Sequence, residues 1–206
     1  FQTGFSIVNH YFNNHDVDGL PNRDNYRFGG FELSPKYRLL SPFKDPLGVA
    51  LRLEAGYLLN DEVDGLKQHE RYLKPELDLQ KDFLDDRLIA VLSLGAEWAW
   101  GKRPAEEYER EFSYEAATGL TYRFAPNWYA GVEAHYRAEY PLFDLHFFEH
   151  RVLYAGPSIH YATERWWATV TYNYQVYGKG IDEPNNGQTF AEEQRNVWRL
   201  KVGFNF

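Results

Sequence analysis

Leu47-Gly48-Val49-Ala50-Leu51-Arg52-Leu53-Glu54-Ala55-Gly56-Tyr57-Leu58-Leu59 alternates with a period of two. Every odd position is apolar, while the even ones hold Gly48, Ala50, Arg52, Glu54, Gly56 and Leu58. A helix drawn through the stretch would put Arg52 and Glu54 on its apolar face, so the segment reads as a strand with two unlike faces. The pattern recurs. Leu88, Ala90, Leu92, Leu94, Ala96, Trp98 and Trp100 alternate with Ile89, Val91, Ser93, Gly95, Glu97 and Ala99. Residues 112–124 alternate against Ser113, Glu115, Ala117, Gly119, Thr121 and Arg123, and residues 128–140 against Tyr129, Gly131, Glu133, His135, Arg137 and Glu139. Weaker alternation runs near 2–12, 26–39, 71–83, 151–161, 166–177 and 196–206. About ten strands are expected, with eight or twelve as the alternatives, and no segment has a helical period.

The connections alternate as well. Short links fall at Ser41-Pro42-Phe43-Lys44-Asp45-Pro46, Leu84-Asp85-Asp86, Ala125-Pro126-Asn127 and Ala162-Thr163-Glu164. Longer polar ones fall near 13–25, 60–70, 101–110, 141–150 and 178–195, with turn formers such as Asp18-Gly19, Asp64-Gly65 and Pro184-Asn185-Asn186-Gly187. Strand, long loop, strand, short turn is the rhythm of an up-and-down meander in a single domain spanning 1–206. Pro35, Pro75 and Pro157 fall inside the strands, where each removes a ladder donor, so bulges or strand ends are expected there.

Composition narrows the function classes. The 206 residues carry 22 Lys+Arg against 30 Asp+Glu, a formal charge of −8, which argues against a nucleic-acid partner. Cysteine is absent, which excludes disulfides, thiolate metal sites and cysteine nucleophiles. Methionine is absent too, so the expectation is a chain that starts after processing or inside a longer sequence. The mean hydropathy of −0.60 suggests a water-soluble chain. Its aromatic content of 18% points elsewhere, because the aromatics are sorted by height.

On the apolar face, Tyr37, Phe83, Phe124, Trp128, Tyr161, Trp166, Phe204 and Phe206 fall at the short-turn end. Tyr57, Trp98, Trp100, Phe112, Tyr114, Tyr136, Tyr140, Tyr172, Tyr174 and Trp198 fall at the long-loop end. Two girdles around a band of Leu, Val and Ala are what a bilayer with two wet interfaces selects. The opposite face mixes charges with Gly30, Gly48, Gly56, Gly95, Gly119, Gly131, Gly156 and Gly203, a composition suited to a crowded, curved interior. The expected fold is therefore all-β: a transmembrane antiparallel up-and-down β-barrel, apolar outside.

The chain ends Trp198-Arg199-Leu200-Lys201-Val202-Gly203-Phe204-Asn205-Phe206. An alternating last strand closing on Phe, with Trp198, Leu200, Val202, Phe204 and Phe206 on one face, resembles the assembly signal of Gram-negative outer-membrane β-barrel proteins. The resemblance implies a bacterial outer-membrane location, periplasmic termini and short turns, and extracellular long loops. As partners it implies the lipid bilayer with lipopolysaccharide and the outer-membrane assembly machinery. It names no subfamily and no further protein partner.

With the apolar face outward, the inward acids are Glu32, Glu54, Glu76, Asp78, Glu97, Glu115, Glu133 and Glu139, and the inward bases Lys36, Arg38, Arg52, Lys74, Arg123, Arg137, Arg199 and Lys201. The equal tallies predict a nearly neutral lining. Folding back at Pro126 sets Glu115 opposite Arg137 and Gly119 opposite Glu133. Folding at Asp85 sets Lys74 opposite Glu97, and the loop after Trp100 brings Glu97 beside Glu115. Lys74, Glu97, Glu115 and Arg137 then form a charge ladder over four strands. With His135, these side chains are the candidate lining of a narrow pore, since about eight strands are just filled by side chains. Gly48, Gly119, Gly131, Gly156 and Gly203 suggest a wider vestibule toward the short-turn end.

Histidines are the remaining chemistry. His146 and His150, spaced four apart, are weak metal candidates beside a loop packed by Phe143, Phe147 and Phe148. Omptin-like proteases resemble the chain in strand number and place an Asp-x-Asp pair against an Asp-x-His pair. Asp16-Val17-Asp18 and Asp144-Leu145-His146 match those spacings, which arise readily by chance. Phospholipase-like barrels need a serine near their histidine, and Asn9-His10-Tyr11 supplies none. No cofactor and no catalytic residue are expected. Two readings stay open: a narrow porin-like channel, or a closed barrel that docks a partner or adheres through loops bearing Asp61, Glu62, Asp64, Glu106, Glu107, Asp182 and Glu183.

Overall fold

Alternation at period two produces ten strands, each within a few residues of its sequence-based position. A computed structural model describes residues 1–14, 22–60, 66–102, 108–181 and 193–204. In chain order the strands are β1 (Gln2–Asn14), β2 (Arg23–Leu40), β3 (Gly48–Asn60), β4 (Lys67–Phe83), β5 (Leu88–Lys102), β6 (Tyr108–Ala125), β7 (Trp128–Pro141), β8 (His150–Ala162), β9 (Trp166–Gly180) and β10 (Asn196–Phe204). Each pairs antiparallel with its sequence neighbours, giving one up-and-down sheet curled as a half-barrel, with β1 and β10 at its edges. Among the described residues no helix is long and apolar enough to cross a membrane, which says nothing about a β-barrel.

The short links are held by local chemistry. The Ser41 carbonyl accepts the N–H groups of Lys44 and Asp45, while Asp45 Oδ2 accepts the Ser41 N–H at 2.8 Å. Between β6 and β7 the chain reverses at Pro126-Asn127, with Asn127 at φ 65°, a left-handed conformation that asparagine tolerates. Both fix hairpin register, and register decides which side chains share a face.

The polarity of the sheet is inverted relative to a water-soluble sandwich. Leu33, Leu51, Leu53, Leu94, Leu120, Val132, Val170 and Leu200 are exposed, whereas Glu76, Glu139, His150, Asn173 and Gln175 are buried on the concave side. Outward aromatics cluster at the two levels read from the sequence. Trp128, Tyr161 and Trp166 touch at the short-turn end; Trp98, Phe112, Tyr140, Tyr114 and Tyr136 form a chain of ring contacts at the other.

The prolines are neither bulges nor strand ends. Pro35, Pro75 and Pro157 lie in mid-strand, paired on one side with Thr3, Leu53 and Val132. On the other side the ladder skips two residues and resumes in the same register, so each missing N–H falls toward a single neighbour. The register shifts occur elsewhere, at Val8/Asn9, Arg38/Leu40, Leu58/Asn60, Arg123/Ala125 and Leu153/Tyr154.

Gly30 has φ +146°, and a Cβ there would run into the Tyr57 carbonyl oxygen of the neighbouring strand. Gly30→Ala is therefore expected to cost about 1–3 kcal/mol of backbone strain, visible as a lower urea midpoint. Gly101→Ala, where a Cβ meets nothing closer than 3.7 Å, is the expected neutral control.

Candidate functional site

The concave face is a continuous ionic surface. Its parts come from side chains of equal parity on β2 to β9, and many contacts bridge strands two apart. Lys36 Nζ on β2 lies 2.6 Å from Asp78 Oδ2 on β4. Arg52 donates to Glu76 and stands 4.0 Å from Glu54. Tyr72 fits over Gly56, where a Cβ would strike its ring, and its hydroxyl lies 2.8 Å from Glu32 Oε1 and 3.1 Å from Glu54 Oε1. Asn173 on β9 donates to Glu133 Oε1 on β7 at 2.6 Å.

The expected ladder exists, with one change in its order. Glu115 pairs with Arg137 and Gly119 with Glu133 as folding at Pro126 requires, but Glu97 faces Ser113, and Glu115 faces Gly95. The β5–β6 hairpin thus closes two residues away from the expected register. The pairing Lys74–Glu97 keeps its place between the ladder pairs Leu73–Trp98 and Glu76–Gly95. Gly95 leaves room, so Lys74 crosses β5 and reaches Glu115 directly. His135 Nε2 lies 3.6 Å from the same carboxylate.

Arg137 is the hub. Its guanidinium lies 2.5 Å from Glu139 Oε1, 3.8 Å from Glu111, 3.8 Å from Glu115 and 3.9 Å from Glu97. Ser113 and Val152 pack, buried, on either side of this row. Beyond it, at the long-loop end, His150 Nε2 lies 3.4 Å from Glu139 Oε2 and 3.5 Å from Glu193 Oε1. The Tyr154 hydroxyl contacts Glu193 Oε2 at 3.0 Å and the Gln194 carbonyl at 2.7 Å.

Of the sequence-based lining, Glu32, Arg52, Glu54, Lys74, Glu76, Glu97, Glu115, Glu133, His135 and Arg137 join these contacts, while Arg199 stands exposed on edge strand β10, opposite Thr171. Tyr72 and Glu111 belong to the face and were legible, since they share the parity of Lys74 and Ser113. Tyr154 was equally legible from Val152. Glu193 was not, because it follows a long loop whose path no period describes.

Other expectations change. His146 is 93% exposed, whereas His150 is 5% exposed, so the pair shares no metal site. His146 instead closes a local turn: its N–H and ring Nδ1 each lie 3.0 Å from Asp144 Oδ1, and these contacts, backbone first, hold the Asp144 carboxyl below its ordinary pKa. Asp144-Leu145-His146 is thus a solvated turn, and Asp16-Val17-Asp18 lies outside the described residues. So do Phe206 and the loop acids Asp61, Glu62, Asp64, Glu106, Glu107, Asp182 and Glu183. Trp198, Leu200, Val202 and Phe204 share one face of β10 and are exposed, as are Arg199 and Lys201 on the other. Of the glycines expected beside a vestibule, Gly203 lies under the Trp167 ring and Gly156 against the Tyr172 carbonyl, while a small cleft of about 70 Å³ lies beside Gly48, between Lys36, Arg38, Pro42, Asp78 and Gln80. A larger groove of about 680 Å³ lies on the apolar side, between Tyr37, Leu51, Leu53 and Leu94, where the ladders skip at Pro35 and Pro75.

Fold and interior together define an up-and-down β-sheet protein of inverted polarity, apolar outside and ionic within. The chain belongs to DUF6662, a family of unknown function, whose model matches residues 1–206. No curated protein and no solved structure matches it.

Proposed function

We propose that the protein is an integral outer-membrane β-barrel in which β1 and β10 join, acting as a narrow, porin-like channel for small ions or solutes. One observation carries this reading: the large apolar side chains are exposed while Glu76, Glu139, Asn173 and Gln175 are buried. Water would penalise that exposure, whereas acyl chains favour it. The two aromatic levels, and the resemblance of the last strand to an assembly signal, support the same placement, with periplasmic termini and contacts to lipopolysaccharide and the assembly machinery.

The lining sets the expected selectivity. Glu97, Glu111, Glu115, Glu139 and Glu193 gather at the long-loop end against Lys74 and Arg137. Equal tallies over the whole interior hide this sorting by height. A ring of excess acid at a mouth favours cations. Planar-bilayer recordings of purified protein across a KCl gradient are expected to give small ohmic steps with a cation-selective reversal potential. Glu97→Gln with Glu111→Gln is expected to move that potential toward zero.

A second reading rests on the side chains that cross the concave face. Lys36–Asp78, Lys74–Glu115 and Arg137–Glu97 each bridge strands two apart, as in a filled, closed barrel that works through its loops. Electrical silence across salts and voltages overturns the channel and leaves that reading.

A further inference from the structure

The geometry at the long-loop end carries more than an ion-pair network. We propose that Glu139, His150 and Glu193 form a binding site for one divalent transition-metal ion, with Zn²⁺ the expected occupant. The argument starts from His150. Its side chain is 5% exposed, and neither ring nitrogen makes a hydrogen bond among the described residues. Two carboxylate oxygens lie near its Nε2, Glu139 Oε2 at 3.4 Å and Glu193 Oε1 at 3.5 Å, and neither is in line for a hydrogen bond. Both separations exceed the usual 2.7–3.2 Å of a hydrogen bond. A single proton on Nε2 points along one line and serves one oxygen well. A lone pair there would face two anions.

A metal ion removes the conflict. Bonds of about 2.0–2.1 Å to nitrogen and oxygen in tetrahedral geometry place neighbouring ligand atoms about 3.3–3.4 Å apart. The separations of 3.4 and 3.5 Å from His150 Nε2 lie within about 0.2 Å of that spacing, and the three donor atoms all lie within 4.8 Å of one another. One imidazole with two carboxylates is a donor set for Zn²⁺ and its transition-series neighbours, not for Ca²⁺ or Mg²⁺, which take oxygen.

The surroundings fit the same purpose. Each carboxylate has one oxygen held by an outer group and the other beside His150 Nε2. Arg137 Nη2 holds Glu139 Oε1 at 2.5 Å, and the Tyr154 hydroxyl lies 3.0 Å from Glu193 Oε2. Such outer contacts orient metal ligands. Charge points the same way. Glu97, Glu111, Glu115, Glu139 and Glu193 crowd together against Lys74, Arg137, His135 and His150, and a divalent ion among the carboxylates eases their mutual repulsion. The sequence pointed to His150 but paired it with His146, four residues away. The actual partners come from the end of β7 and from beyond the long loop before β10.

The test uses the full chain in detergent micelles, stripped of metal by a chelator and titrated with ZnCl₂ by calorimetry. One Zn²⁺ per chain is expected. His150→Ala is expected to weaken binding at least 100-fold, Glu193→Gln about tenfold or more, and Tyr154→Phe about tenfold through the outer contact. His146→Ala is expected to leave binding unchanged. Glu193 lies outside the strands, so its variant keeps the test sound where a strand substitution fails to fold. Visible ligand-field absorption of Co²⁺ bound to the unaltered chain gives a second readout that needs no variant. No saturable Zn²⁺ uptake, or full affinity in His150→Ala, overturns the site. Conductance plays no part in this outcome, so it stands or falls separately from the channel.

Discussion

Under the proposed bilayer placement, Val132→Arg is expected to lower the stability of the protein by about 2–4 kcal/mol, the cost of placing arginine at the bilayer midplane of a barrel. Val132 is 60% exposed on β7, midway between Trp128 and the Tyr136 ring, and beside Leu120 on the same face. In water, a substitution at so exposed a site falls within about 0.5 kcal/mol of neutral. The two environments thus predict different magnitudes for one change. Folding into phospholipid bilayers followed by urea titration, read by heat-modifiable mobility and tryptophan fluorescence, measures it. A stability unchanged by the substitution would remove the bilayer from the account of this protein.

Arg137→Ala is expected to be the most damaging single change inside, costing about 3 kcal/mol. The guanidinium stands among Glu97, Glu111, Glu115 and Glu139, and its loss leaves four carboxylates facing one another with Lys74, His135 and His150 as the basic groups still in contact with them. The value sits at the lower end for a buried pair because 28% of the side chain still meets solvent. Arg137→Lys keeps the charge but gives up the planar fork that reaches several acids at once, so an intermediate loss is expected. Adding Glu139→Gln to Arg137→Ala removes part of the repulsion and is expected to restore some stability. Thermal loss of the compact electrophoretic form provides the comparison. If Arg137→Ala melted like the unaltered chain, the network would not be what orders the interior.

The strands were legible because a period of two is a local property. Leu51, Leu53 and Ala55 alternate with Arg52, Glu54 and Gly56 wherever the chain is placed, and Pro126-Asn127 closes its hairpin with residues that accept the required backbone angles. The pairs Glu115–Arg137 and Gly119–Glu133 follow from that turn alone. The β5–β6 register was not legible to the residue. Its connection is longer and carries no single turn signature, and an offset of two keeps every side chain on its proper face. Alternation cannot detect such a slip, yet it decides that Glu97 faces Ser113 and that Lys74 reaches Glu115 across Gly95.

The site divides the same way. Parity alone assigned Glu115, Arg137 and Glu139 to one face, and it extends to Glu111, Tyr72 and Tyr154. Parity could not bring Glu193 to His150, because they meet through the curvature of the sheet and the return of a loop.

What the amino-acid order determined by itself is the class of structure: strands, their number, their sequence-neighbour pairing, and which face is apolar. These rest on interactions between residues a few positions apart, or opposite one another across a tight turn. The tertiary structure decided which charges neutralise one another and where the histidine finds its carboxylates. Those contacts span strands two or more apart, and their distances depend on the curl of the whole sheet, to which every hairpin register contributes.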